Sequence, residues 1–222
     1  SVLVRDGVAY VTAGRSTYLD GGIRVWALDP RTGKPLHKTT LEGPFPDVEA
    51  GRRDFAFYVP GANSDVLVSE GDSIYMRQKK LTPELHEVEV PVFSSKGAQD
   101  VGLHVFSTSG LLDGSWYNRT FWMYAKRWPG FQLANQSSKS GQLLVVGPQN
   151  TYALKAYTSR YTLSPKLDPQ TKGYLLIADD NKTEPILDDM TRGATKGLGY
   201  TRLQPPAWYD WVPIRIRGMV LA

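Results

Sequence analysis

Residues 1–41 read SVLVRDGVAYVTAGRSTYLDGGIRVWALDPRTGKPLHKTTL, and this stretch decides the fold. Short apolar runs, rich in β-branched and aromatic residues, alternate in it with polar turns, which is the pattern of β-strands. The runs are Ser1–Val4, Val8–Ala13, Ile23–Leu28 and Leu36–Leu41. The stretch therefore predicts four short strands that follow one another in a single antiparallel sheet.

Two of the turns carry residues suited to reversing the chain. In the first, RDG, Gly7 is available for a positive φ angle. In the second, DPRTGK at residues 29–34, Asp29 can bond its own backbone and Gly33 takes the left-handed position. The pattern of strands and turns recurs, so we predict an all-β protein of about four such units. The units span approximately residues 1–43, 64–90, 101–157 and 173–222.

Two stretches resemble the PQQ-like β-propeller repeat. Ile23–Leu36, IRVWALDPRTGKPL, has the repeat's aromatic strand residue at Trp26, its Ala-Leu-Asp at residues 27–29 and its Thr-Gly-Lys turn at residues 32–34. Gly102–Tyr124, GLHVFSTSGLLDGSWYNRTFWMY, is similar to a segment of PQQ-like propeller proteins of environmental bacteria, planctomycetes especially. Members of this family are mostly large multidomain proteins.

The resemblance implies β-propeller-type blades of four antiparallel strands, about four of them here, in a partial propeller. It favours a non-catalytic binding or scaffold module of a larger exported bacterial protein, in the periplasm or outside the cell. The alternative is a hydrolase of esters, phosphoesters or glycosides, or an oxidoreductase, with its site in the propeller channel or at a subunit interface. The chain begins directly with a strand and without a signal peptide, which predicts a mature or excised piece.

The last residues, Met219–Ala222, have the pattern of Ser1–Val4 and predict the first strand of a further blade. Propellers of this kind commonly close with six to eight blades, so four units leave two open edges that can recruit partners. One hypothesis is a homodimer in which two four-bladed arcs complete one ring. The other is that the four units close on themselves, with Ile214–Leu221 beside Ser1–Val4.

Composition excludes several classes of function. The net charge of +4 is small and scattered, so no nucleic-acid partner is expected. No apolar run approaches the roughly 20 residues of a membrane-spanning helix. The chain has no cysteine, which excludes disulfides, thiolate nucleophiles and thiolate metal sites. The Gly-x-Ser-x-Gly and Ser-x-x-Lys motifs of serine catalysis are absent as well.

His104, Asp113 and Arg119 are the candidates for catalysis. His104 lies in a predicted strand and faces either the core or the channel; the alternative to a functional role is a structural histidine with satisfied hydrogen bonds. A metal site of three histidines would require His37 and His86 to join it. No metal site is predicted from the sequence.

The densest feature is aromatic and basic, and it begins at Trp116. Aromatic faces of Trp116 and Tyr117 can stack on a sugar or another planar ligand, and Arg119 can bind a carboxylate. These three residues are the predicted site for a small-molecule or carbohydrate ligand, and the alternative is packing between blades. Trp122 and Tyr124, on one face of the next strand, are predicted to fill the core.

Cofactors are not expected. In quinoprotein dehydrogenases with this repeat, PQQ is held with a calcium ion, a stacking Trp and often a vicinal disulfide, and no such set is found in this sequence. Carboxylates such as Asp179 and Asp180, with Asn181, could hold Ca²⁺ through oxygen ligands. Their spacing is not that of a calcium loop, so the alternative is that they are solvated turn residues.

Overall fold

The computed structural model describes residues 1–17, 19–43, 65–91, 99–107, 122–128, 137–155, 173–185, 202 and 204–222. Within these ranges the chain forms β-strands and no helix. The strands build four antiparallel sheets, two with four strands and two with three. The all-β class predicted from the sequence is therefore confirmed.

In every sheet the strands lie side by side in chain order, each antiparallel to the one before. The first sheet contains β1 (Val2–Arg5), β2 (Val8–Ala13), β3 (Ile23–Leu28) and β4 (Pro35–Leu41). The second contains β5 (Val68–Glu70), β6 (Ser73–Met76) and β7 (Lys79–Leu81). The third contains β8 (Asp100–Ser107), β9 (Trp122–Arg127) and β10 (Ser140–Gly141). The fourth contains β11 (Leu143–Val146), β12 (Asn150–Lys155), β13 (Tyr174–Asp180) and β14 (Trp208–Val212).

The first sheet matches the strands predicted for residues 1–41, with small differences at the ends of β1 and β4. In the turn between β1 and β2, Asp6 and Gly7 have φ angles of 49° and 76°. In the turn before β4, Gly33 has a φ angle of 70°, and Asp29 accepts a hydrogen bond from the Arg31 backbone N–H at 2.8 Å. Both turns thus form as the sequence predicts.

The third and fourth sheets divide the chain differently from the predicted units. The strands β11 and β12 were predicted in the third unit, but they are the first two strands of the fourth sheet. The cause is the pairing of β12 with β13, which runs from Asn150 opposite Asp180 to Lys155 opposite Leu175. The local pattern of a hairpin specifies its two strands, but the sheet that it joins depends on contacts distant in sequence.

The second sheet packs on the first sheet through one face and on the third sheet through the other. Ile74 and Met76 of β6 are fully buried in a core shared with the first sheet. Tyr75, between them, lies on the opposite face and stacks on His104 of the third sheet. The first sheet contributes Tyr10, Ile23, Val25, Ala27 and Leu41 to the shared core. Strand alternation therefore gives the second sheet two covered faces.

The third sheet packs on the second sheet through one face and borders an open cleft on the other. His104 and Phe106 of β8 contact each other on the face that meets the second sheet. Val105, between them in the strand, lines a cleft together with Trp122 of β9, and the opposite wall of that cleft is β11 of the fourth sheet. The first three sheets thus stack face to face in the order of the chain, and the cleft lies where the third sheet meets the fourth.

The segment after β14 differs from its prediction. Residues 213–222 contain no strand, so the strand predicted at Met219–Ala222 is wrong. Ile216 and Met219 pack instead on Leu154 and Tyr174 of the fourth sheet, because that sheet offers them an apolar face. The alternative of closure beside Ser1–Val4 is wrong for the same reason, and β1 is an edge strand paired with β2.

Candidate functional site

Of the residues predicted for catalysis or ligand binding, the structure describes His104. Asp113, Trp116, Tyr117 and Arg119 lie outside the described residues, so their roles remain predictions. His37 and His86 are exposed, whereas His104 is fully buried. Among the described residues no three His, Cys, Asp or Glu side chains are grouped so that they could hold a metal ion.

His104 lies between the second and third sheets and is held by its ring and by both ring nitrogens. Its ring stacks on Tyr75 with 4.0 Å between centroids and 11° between planes, and Phe106 contacts it at 4.1 Å. Nδ1 lies 2.7 Å from the Gly102 carbonyl oxygen, and Nε2 lies 2.8 Å from the Arg77 carbonyl oxygen. The side chain therefore faces the core, one of the two orientations that its strand allowed.

Burial sets the charge of this histidine. Burial lowers the pKa of His104 to about 4, although the carbonyls of Gly102 and Arg77 favour the protonated ring. The ring is therefore neutral near pH 7, and a neutral imidazole donates one hydrogen bond, to one of the two carbonyls. A fully buried ring with both nitrogens against the backbone does not reach a substrate. The geometry favours a structural role, as a link between two sheets.

A second group of polar side chains lies between the third and fourth sheets. We call it the buried charge cluster, and its members are Lys139, Lys155, Asp179, Glu184 and Arg202. Arg202, fully buried, forms a two-pronged ion pair with Asp179: its NH1 bonds Oδ1, and its NH2 lies 2.9 Å from Oδ2. The Lys139 backbone N–H also donates to Asp179 Oδ2, at 2.7 Å.

The position of Asp179 changes the interpretation of the acidic pair in which it occurs. Asp179 is only 1% exposed near the end of β13, whereas Asp180, the last residue of that strand, is exposed. The interpretation as a solvated turn residue is therefore wrong for Asp179 and fits Asp180. Both carboxylate oxygens of Asp179 are bonded to Arg202, which makes its role structural.

The two lysines of the buried charge cluster differ in their partners. Lys139 Nζ donates to the Asn181 carbonyl at 2.8 Å and pairs with Glu184 at 3.1 Å, so burial lowers the pKa of Lys139 while Glu184 opposes that shift. Lys155 Nζ donates to the Ser137 carbonyl at 2.6 Å. Burial lowers the pKa of Lys155 to about 7, and the nearby Arg202 guanidinium adds to the effect.

The sequence analysis did not predict this cluster, although the position of Lys155 in its strand pointed to a buried charge. Lys155 continues the alternation of Thr151 and Ala153 along β12, and all three side chains are buried. A lysine at an inward position of a strand is rare and requires partners. Arg202 gave no such signal, because its approach to Asp179 depends on how the intervening chain returns to the sheet.

An open apolar cleft of about 330 Å³ separates the third and fourth sheets. Its lining residues are Val105, Trp122, Leu143, Leu144, Val145, Val146, Gly218 and Met219. Trp122 was predicted to fill the core, but it is half-buried and forms a wall of this cleft. A cleft of this size falls at the lower end of the range for small-ligand sites.

No family model, curated protein or solved structure matches the chain. In the described part of the chain, no helix is long and apolar enough to cross a membrane. Among the residues that the structure describes, the geometry offers two buried polar groups with structural contacts and an open apolar cleft.

Proposed function

We propose that the chain is a non-catalytic scaffold and binding module, built from propeller-type sheets and belonging to a larger exported bacterial protein. The observation that carries the proposal is the covering of both faces of the second sheet by the first and third sheets, its neighbours in the chain. Propeller blades pack in this way, whereas the sheets of a sandwich have one covered face each.

The contacts between strands support the same arrangement. The first strands of three successive sheets are neighbours, since β1 contacts β5 and β5 contacts β8. Strands that begin each blade of a propeller lie together around the central axis, so this succession is the one expected for an arc of blades. The outer face of the first sheet is open, whereas Ile216 and Met219 pack on the outer face of the fourth sheet.

The described polar groups support a non-catalytic role. His104, Asp179 and Lys155 are each bonded to backbone or to a side chain of the protein and are almost fully buried. Catalytic acids and bases must come within hydrogen-bond distance of a substrate. The open surface is instead the apolar cleft, which suits binding.

The outer face of the first sheet supports assembly into pairs. Val2 and Val4 of β1 are 67% and 68% exposed, and Trp26 of β3 lies half-buried on the same face. An exposed apolar sheet face is a typical interaction surface. In our proposal this face meets residues 213–222, which cover the fourth sheet, in a second copy, so that two arcs form one ring.

Light scattering at micromolar concentration tests the proposed assembly. We expect twice the chain mass of 24.7 kDa for the wild type and the single chain mass for Val4→Asp, because a carboxylate on the contact face opposes packing. Lys34→Asp, in the exposed turn before β4 and outside the strands of the contact face, is the control and should reduce pairing less. A wild type of single mass would contradict the pair.

Turnover of ester, phosphoester or glycoside substrates by the purified chain would contradict the non-catalytic role.

A further inference from the structure

The apolar cleft follows the free edge of a strand. Four consecutive residues of β11, from Leu143 to Val146, line it. Successive side chains of a strand point to opposite faces, so a cleft against one face would be lined by alternate residues only. Because β11 is the edge strand of the fourth sheet, the cleft must run along its unpaired side.

The hydrogen-bond register shows which backbone groups of β11 face the cleft. Gly147 N–H donates to the Asn150 carbonyl at 2.9 Å, so these two residues form a hydrogen-bonded pair at the end of the hairpin. Such pairs alternate along an antiparallel ladder, which turns Val145 toward β12. The backbone N–H and C=O groups of Leu144 and Val146 therefore point away from β12, toward the cleft.

From this geometry we propose that the cleft binds an extended peptide, which adds to the fourth sheet as a strand beside β11. The proposal rests on the binding role proposed above and names the partner. The unpaired groups of Leu144 and Val146 supply hydrogen bonds to the peptide backbone, as in other cases of strand addition. Apolar side chains at alternate positions of the peptide enter the space between Val105, Trp122 and Met219.

The rim of the cleft specifies the charge of the partner. Gly218 lines the cleft, and a Cβ atom built there would meet no other atom within 4 Å, so the entrance beside it is open. Arg215 and Arg217, on the same segment, are exposed. Their positive charge favours an acidic residue at one end of the bound peptide. The partner is thus an extended segment with alternating apolar residues and an acidic terminus.

The test uses the peptide Asp-Val-Thr-Val-Thr-Val amide, labelled with fluorescein on its N-terminal amine in place of an acetyl cap, and fluorescence anisotropy with the full chain. We expect saturable binding below about 1 mM. Methylating the peptide nitrogens that face β11 keeps the apolar side chains but removes the donors, and it should weaken binding about tenfold or more. Equal binding of the methylated and unmethylated peptides would overturn strand addition in favour of simple apolar contact.

A pair of variants tests the same contact from the side of the protein. Val146→Pro removes an N–H group that faces the cleft and not the ladder, a position where an edge strand accepts proline. It should weaken peptide binding about tenfold, whereas Val146→Ala, which keeps the N–H, should change binding less than about threefold. Equal affinities for the two variants would contradict the proposal.

Two further outcomes separate this inference from the proposed function. Absence of peptide binding at about 1 mM, with the mass of the pair intact, would overturn the peptide site alone. If the peptide instead dissociates the pair, a strand of the second copy must occupy the cleft. That result would also overturn the proposed partner.

Discussion

Replacing Asp179 with asparagine is expected to lower the free energy of unfolding by about 3–5 kcal/mol. The substitution leaves the Arg202 guanidinium, fully buried, without the negative charge that it pairs with. The guanidinium charge therefore stays buried without the carboxylate that compensates it. The free energy of unfolding is measured from urea denaturation followed by tryptophan fluorescence.

Asp180→Asn is the matched control for this substitution. Asp180 is the next residue, is exposed, and accepts a hydrogen bond from the Lys182 backbone N–H at 2.8 Å, which asparagine can also accept. Asp180→Asn should lower the free energy of unfolding by less than about 0.5 kcal/mol. Adding Arg202→Met to Asp179→Asn should recover part of the lost stability, because no unpaired charge then remains. Equal costs for the two single substitutions would show that Asp179 is not buried against Arg202.

The stability of the wild type is expected to rise with pH from about 7 toward 10 because of Lys155. Its pKa is about 7 in the folded chain and about 10.5 in the unfolded one, so the unfolded chain binds more protons in this window. Below pH 7 both states carry the charge, and the folded state bears the full cost of burying it. Above pH 7 the folded chain loses the proton and that cost is relieved.

The measurement compares the wild type with Lys155→Met at pH 7 and pH 9. The difference in unfolding free energy between the two proteins should change by about 2–3 kcal/mol in favour of the wild type as the pH rises. Lys38→Met, which removes an exposed lysine from β4, should show no such change. Parallel pH profiles for the wild type and Lys155→Met would mean that the Lys155 ammonium is solvated.

The first sheet could be predicted almost completely because its information is local. The alternation of side chains between two faces along Val8–Ala13 and Ile23–Leu28 predicts the strands. Gly7 and Gly33 predict the turns at which the chain reverses direction. The short turns at residues 6–7 and 29–34 fix the pairing of β1 with β2 and of β3 with β4, whereas the longer segment 14–22 joins β2 to β3.

What could not be predicted depends on contacts between distant segments. The pairing of Leu154 with Leu176 decides that β12 belongs to the fourth sheet, and the two residues are separated by a long connection. Residues 214–217 alternate apolar and charged side chains as a strand does, yet Ile216 and Met219 cover the fourth sheet without pairing. For the site, the strand pattern allowed the His104 side chain to face either the core or the channel. The packing of the second sheet on the third places it in the core.

The stacking of successive sheets, on which the proposed function depends, is tested most directly by a double-mutant cycle between Tyr75 and His104. These residues belong to the second and third sheets, and their rings stack at 4.0 Å. The unfolding free energies of Tyr75→Leu, His104→Leu and the double variant should give a coupling of about 1 kcal/mol. Additive effects, with a coupling below about 0.3 kcal/mol, would contradict the face-to-face packing of the two sheets.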